Sequence, residues 1–236
     1  MAMYRYMDIL LEKLNSVGFA RIVSRLRAPL VVHCVPGAGK STLIRDLLIE
    51  HTCFKAYTGG APDIPELGGR FIRPISEFTE GEENVLIDEY TLCPSIPASA
   101  LAVFGDPCQP GIDHKLTAHF ICKISKRFGT HTSELLCKLG FTISAEGPDE
   151  VVIQELFGNE PRGVIVFLHK EVECLLRAHC AKGYSCQQVQ GKTFDEVCFI
   201  SAEPFEATRA KEHYICLTRH RKRLQILCPD ATYTTS

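Results

Sequence analysis

Two rhythms of apolar and polar positions run along this chain. Met7-Asp8-Ile9-Leu10-Leu11-Glu12-Lys13-Leu14 spaces its apolar residues as a helix does. The spacing predicts a short amphipathic helix packed on the first core. A membrane-surface helix is the alternative, but the polar face is not basic. Continuous apolar runs predict buried strands at Leu30–Val35, Phe54–Tyr57, Asn84–Ile87 and Leu101–Phe104. A second series follows at Gly163–Leu168, Glu196–Ser201, His213–Leu217 and Leu224–Leu227, with helical spacing around Glu171–His179. Strands alternating with helices in two series predict two α/β lobes with mostly parallel sheets. The apolar pattern breaks at Lys123, Lys126, Arg127 and Gly129, so we divide the chain into lobes over residues 1–125 and 126–236.

Between Thr58 and Glu83 lies a stretch punctuated by Gly59, Gly60, Pro62, Pro65, Gly68, Gly69, Pro74 and Gly81. Loops of that length usually carry function or mobility. With 236 residues, 45% hydrophobic and 23% charged, the composition is that of an ordinary globular protein. A net charge of −2 gives no global attraction to nucleic acid, so any such binding must use local clusters. The clearest is Arg219-His220-Arg221-Lys222-Arg223; Arg21, Arg25 and Arg27 form a smaller one, equally readable as a solvated face. None of the 12 cysteines is spaced C-x-x-C, and many lie in apolar runs, which suggests reduced, buried thiols in a cytosolic compartment. A zinc site from Cys174, Cys180, Cys186 and His179 is the alternative, against the tighter ligand spacing zinc prefers. No apolar run approaches the 18 or so residues of a membrane span.

Val35-Pro36-Gly37-Ala38-Gly39-Lys40-Ser41-Thr42 follows the Leu30-Val31-Val32 run and precedes Leu43-Ile44-Arg45-Asp46-Leu47-Leu48. Strand, glycine loop and helix in that order make a phosphate cradle, with backbone N–H groups and the helix dipole aimed at one anion. Pro36 to Thr42 would line it, Lys40 would reach the β- and γ-phosphates, and the Ser41 hydroxyl would ligate Mg²⁺. The chain is thus expected to bind ATP or another nucleoside triphosphate. The pattern G-x-x-x-x-G-K-[ST] asks for glycine at position 34, where this chain has Cys34, so the first turn forgoes glycine's freedom at positive φ.

Downstream, Val85-Leu86-Ile87 runs into Asp88-Glu89-Tyr90. At the C-terminal edge of a parallel sheet such a strand end lies beside the cradle. Asp88 would hold Mg²⁺, and Glu89 would orient and deprotonate the attacking water. The alternative is a solvated acidic pair. The next strand ends in Gly105-Asp106-Pro107-Cys108-Gln109. This is either an ordinary turn or a loop that offers the Gln109 amide to the γ-phosphate.

P-loop, Asp-Glu strand end and Gly-Asp-Pro-x-Gln, in this order and spacing, resemble the superfamily 1 helicases of positive-strand RNA viruses. Ser185-Cys186-Gln187-Gln188-Val189-Gln190-Gly191-Lys192-Thr193-Phe194 looks like that family's fifth motif. The resemblance places Gln190 and Thr193 on RNA and Gly191 by the nucleotide. Tyr214-Ile215-Cys216-Leu217-Thr218-Arg219 looks like the sixth, whose arginine reaches the γ-phosphate, and Lys126-Arg127-Phe128 resembles the fourth, making Arg127 a second phosphate contact. Tyr57-Thr58-Gly59-Gly60 falls where the first lobe would touch RNA, which points to Thr58. Together the motifs span residues 30–228. The resemblance implies two RecA-like P-loop NTPase lobes.

The small size, and the Met7-Asp8-Ile9-Leu10 start before the first lobe, resemble the first-protein family of plant-virus triple gene blocks, whose members also vary at the first P-loop glycine. That resemblance implies NTP hydrolysis, unwinding of RNA, movement through plasmodesmata from the host cytoplasm and suppression of RNA silencing. It implies as partners single-stranded viral RNA, further copies of the chain, coat protein, the other triple gene block proteins and host silencing factors. In the mechanism expected on this basis, Arg127 and Arg219 of the second lobe meet a γ-phosphate held by the first, and hydrolysis alters the grip on RNA. Two rival readings stay open. A small nucleotide kinase would suit the P-loop alone but has no use for the Gly-Asp-Pro-x-Gln or Gln-Gly-Lys-Thr motifs. An adaptor could bind RNA and protein and use nucleotide only as a conformational ligand.

Overall fold

The computed structural model describes residues 2–234, with side chains from residue 6 onward. It resolves into two compact units, Met1–Lys123 and Ile124–Ser236. Ile124 and Ser125, which the sequence pattern assigns to the first lobe, pair with Ser144–Ala145 of the second unit.

In the first unit, helix α1 (Ala2–Ser16) buries Leu10 and Leu14. Seven strands form one sheet: β1 (Ala20–Arg21), β2 (Leu30–Cys34), β3 (Lys55–Thr58), β4 (Arg73–Pro74), β5 (Val85–Asp88), β6 (Ala100–Gly105) and β7 (Phe120–Cys122). Their order is β1-β7-β2-β6-β5-β3-β4, and every pair but β1–β7 is parallel. Strands β5 and β6 are buried along their whole length, which explains their unbroken apolar runs. Helix α2 (Lys40–Glu50) covers the sheet with Leu43, Ile44, Leu47 and Leu48, each buried, and each contributing about 1.5–3 kcal/mol of apolar transfer. Parallel pairing brings the C-terminal ends of β2, β6, β5 and β3 to one edge: His33 lies opposite Gly105, and Thr58 opposite Asp88. Much of the Gly/Pro-rich stretch after β3 is tied down. Arg45 donates to both carboxylate oxygens of Asp63, which also accepts the Ile72 N–H.

In the second unit, β8 (Ile124–Ser125) and β9 (Ser144–Ala145) form a small parallel pair. Five parallel strands make the main sheet: β10 (Glu150–Glu155), β11 (Val164–Phe167), β12 (Tyr184–Ser185), β13 (Phe194–Ile200) and β14 (His220–Cys228), in the order β10-β14-β13-β11-β12. The helices are α3 (Thr130–Lys138), α4 (Lys170–Ala178), the single-turn α5 (Cys186–Val189) and α6 (Ala210–Leu217).

Two expectations are corrected here. His213–Leu217, expected as a strand, is the buried end of α6. A five-residue apolar run has no period of its own, and a helix buried on all sides reads like a buried strand. The basic run at 219–223 is not an open cationic face. Arg219 and His220 are buried, Lys222 pairs with Asp195 at 2.7 Å, and Arg223 pairs with Glu150 at 2.8 Å.

Asp149 anchors the start of α3. Its buried carboxylate accepts the N–H groups of His131 (2.9 Å) and Thr132 (3.2 Å) and lies 3.7 Å from His220 Nε2. Burial alone would raise its pKa. The His220 ring, Thr132 and the backbone N–H groups at the helix start outweigh burial and hold the carboxyl at about 2. The depressed value means the carboxylate stabilises the fold fully above its unfolded pKa of about 4, and that contribution is lost as pH falls through about 2. Asp149→Asn should therefore destabilise the second unit by about 2 kcal/mol at neutral pH. Urea denaturation across pH should show the gap from wild type shrinking between about pH 5 and 2; a gap independent of pH would refute the charge-based account.

Candidate nucleotide and RNA site

Helix α2 starts at Lys40, and Gly37 and Gly39 before it have φ of 79° and 93°, the left-handed region where glycine is at ease. Pro36 and Ala38 are buried, Ser41 is half-buried and Thr42 is exposed. The loop closes on itself through Ala38 N–H to Val35 O (3.2 Å). No side chain caps the first turn of α2, and an uncapped helix start of this kind offers its N–H groups to an anion.

The Lys40 ammonium lies 2.7 Å from Glu89 Oε1 and 4.0 Å from Asp88 Oδ1. Burial disfavours its charge, but the two carboxylates outweigh burial and raise its pKa, so the lysine stays protonated. The Ser41 hydroxyl donates to Asp88 Oδ2 at 2.5 Å. Burial raises the Asp88 carboxyl, with Lys40, Ser41 and the Glu89 N–H (3.0 Å) opposing it. Glu89 itself sits at φ 47°, a left-handed conformation uncommon outside glycine, and caps the start of a 3₁₀ turn, Tyr90–Leu92. A hydroxyl and a carboxylate side by side at a phosphate cradle form a hard oxygen donor set, which suits Mg²⁺.

The loop after β6 is built around Asp106. Its carboxylate accepts the Cys108 N–H at 2.9 Å and the Gln109 amide at 3.1 Å. Gln109 is therefore buried and oriented, and Asp106, read from sequence only as part of a turn, is what orients it. The Asp106 carboxyl is raised by burial, against these hydrogen bonds. Spacing also carries no signal for His33. Its Nε2 lies 2.7 Å from the Tyr90 hydroxyl, joining β2 to the residue after Glu89. Thr58 is buried at the end of β3, its hydroxyl accepting the Gly60 N–H at 2.9 Å. That hydroxyl shapes the turn.

In the second unit Arg127 and Arg219, 92 positions apart, meet at Thr218. Arg127 Nη1 donates to the Thr218 carbonyl at 3.0 Å; Arg219 Nη2 donates to Thr218 Oγ1 at 2.8 Å, and its Nε to Ile215 O at 3.1 Å. Spacing gave no sign of this shared anchor, because it depends on α6 being a helix. Gln190 and Thr193 are half-buried on either side of exposed Gly191, whose φ is 80°. Ser185 starts α5 with a capping box: its side chain accepts the Gln188 N–H, and the Gln188 side chain accepts the Ser185 N–H at 2.9 Å.

Among the described residues no three His, Cys, Asp or Glu side chains gather as a metal site, which leaves the Cys174, Cys180, Cys186 and His179 grouping without support. No described helix is long and apolar enough to cross a membrane.

The family description "viral superfamily 1 RNA helicase core domain" matches residues 30–228. The chain is 40% identical to movement and silencing protein TGBp1 of Chrysanthemum virus B, over 98% of this chain and all of the relative. It is 42% identical to the proteins of the same name from Poplar mosaic virus and Lily symptomless virus, each again over 98% of this chain and all of the relative. Its fold is similar to Arterivirus nonstructural protein 10, a helicase: TM-score 0.59 at 16% identity over 95% of this chain and 56% of that one. A DNA complex of that helicase gives a TM-score of 0.50 at 15% identity, over 94% of this chain and 57% of the helicase. The chain thus spans little more than half the length of those solved helicases. Each unit has a RecA-like layout, with parallel strands carrying loops at their C-terminal ends.

Cys34 ends β2 with its thiol 3.9 Å from the Gly105 carbonyl. Positive φ among described non-glycine residues occurs at Asn84, Glu89, Lys115, Cys180 and Ala231, so Cys34 needs no glycine conformation. Cys34→Gly should cost about 1–2 kcal/mol in urea denaturation, from lost packing and added chain entropy. Titration with a fluorescent nucleotide should show unchanged affinity; a clear gain would mean that the cysteine does distort the cradle.

Proposed function

The chain belongs to the viral superfamily 1 RNA helicases and, among them, to the movement and silencing proteins TGBp1, and on that premise we propose that it is an RNA-stimulated NTPase. What carries this reading is one cluster: Ser41 bonded to Asp88 at 2.5 Å, with Lys40 between Asp88 and Glu89 at the mouth of a glycine cradle. Pro36 to Thr42 enclose the phosphates of ATP or another NTP. Ser41 and Asp88 would hold Mg²⁺, which would supply charge neutralisation at the phosphates.

Lys40 exchanges Glu89 for phosphate oxygens. That exchange releases the Glu89 carboxylate to accept a proton from the attacking water. Gln109, held by Asp106, offers its amide to the γ-phosphate. Arg127, half-buried, is the second unit's candidate for a γ-phosphate contact, a kind of charge that contributes about 10³-fold or more in related phosphoryl transfers; Arg219, buried and bonded to Ile215 and Thr218, would have to leave those partners to join it. Gly191 lies by the nucleotide, and Gln190, Thr193 and the Thr58 turn lie along the RNA backbone. Contacts to phosphate and sugar make sequence preference weak. Hydrolysis replaces the bound triphosphate with a diphosphate, and a state that binds the two differently would also differ in its hold on single-stranded RNA.

The relatives' name supports a role in viral movement and in silencing suppression. We assign the chain, on that likeness, to the host cytoplasm and plasmodesmata. Its partners on the same basis are further copies of itself, coat protein, the other triple gene block proteins and host silencing factors.

Phosphate release measured with and without single-stranded RNA, across a salt series, tests the proposal. RNA should stimulate wild-type turnover, and the stimulation should fall steeply with salt. Glu89→Gln should still bind nucleotide but lose at least about 100-fold in turnover; Lys40→Ala should lose turnover with its fold intact. RNA binding without any hydrolysis would favour the adaptor reading.

A further inference from the structure

The second unit carries an aromatic and cationic group that the NTPase chemistry does not use. Tyr184 lies on β12, an edge strand of the five-stranded sheet, and is half-buried. The ammonium of Lys182 stands 5.4 Å from the ring centroid and that of Lys192 stands 5.7 Å from it. Both distances fall in the range where an ammonium is attracted to an aromatic face. Both lysines are exposed, and neither is among the residues holding a carboxylate partner, unlike Lys222 and Arg223 of the same unit.

The group stands on a rigid base. The residue after Tyr184 is the Ser185 of the capping box, and the α5 helix it starts buries Cys186 and Val189. On the other side, Lys192 lies between Gly191 and Thr193, in the turn already assigned to RNA. A flat ring with displaceable cations over it matches one ligand chemistry: a nucleobase that takes the place of an ammonium on the ring, flanked by its own phosphates that receive the cation. Base–aromatic stacking tolerates any sequence, and exposed lysine ends can swing to neighbouring phosphates.

We propose that Tyr184, with Lys182 and Lys192, is a base-stacking platform for single-stranded RNA, extending the track formed by Gln190 and Thr193. The inference rests on the RNA-binding reading above. The ring holds one base by its face and the ammoniums hold the adjoining phosphates, so the platform adds affinity without reading sequence.

Fluorescence anisotropy with an oligouridylate, and with an equal-length strand bearing abasic riboses, tests it. Tyr184→Ala should weaken oligouridylate binding about tenfold and leave abasic binding unchanged, while Tyr184→Phe stays close to wild type. Lys182→Ala and Lys192→Ala should each lower the slope of log affinity against log salt by a little under one. Equal weakening on both strands by Tyr184→Ala would overturn the stacking role, and so would no weakening on either while wild type binds tightly. A wild-type chain that binds neither strand would bring down the RNA-binding reading, and this inference with it. Turnover without RNA should be unaffected by Tyr184→Ala, which separates a platform from a collapsed second unit.

Discussion

A buried cation set against two carboxylates organises the phosphate-facing edge of the first unit. Burial disfavours the Lys40 charge, and the Asp88 and Glu89 carboxylates outweigh burial and keep it protonated. The arrangement demands three things of the chain. A helix must begin at the lysine, a buried strand must end at the carboxylates, and parallel pairing must bring both to one edge. The first two follow from sequence features, the glycines before α2 and the unbroken apolar run of β5; the third comes from the sheet order, with β6 between β2 and β5. The same edge carries the Asp106 loop, so the site is a property of the sheet.

Glu89 shows how local strain and chemistry coincide. Its left-handed backbone starts a 3₁₀ turn and directs its side chain to Lys40 while its N–H caps Asp88. Tyr90, the next residue, is fixed through its hydroxyl to His33 on β2. An uncommon conformation of this kind persists only when its neighbours hold it from several sides. Here a strand, a turn and an ion pair do so.

Much of this was legible before any coordinates. Four strands and the P-loop helix of the first unit stand close to where the apolar runs put them, because a strand buried on both faces leaves a continuous hydrophobic signature. Short elements were not legible: β1, β4, β8, β9 and β12 are two residues each, and their place depends on pairing partners far away in sequence. The half-exposed β10 leaves a weak signature, because its middle residues are only partly covered. At the site, the motif residues themselves could be named from spacing. Asp106, His33 and Thr218 could not, since each acts by orienting another side chain through a contact that exists only after folding. The misread run at His213–Leu217 hid the Thr218 junction as well.

That junction has a genetic corollary. Because Arg127 and Arg219 grip opposite ends of one threonine, its carbonyl and its hydroxyl, the three positions form a single heritable module. A change at any one alters the background against which the others are selected, so substitutions there would be epistatic and lineages would cross between working combinations only by paired changes.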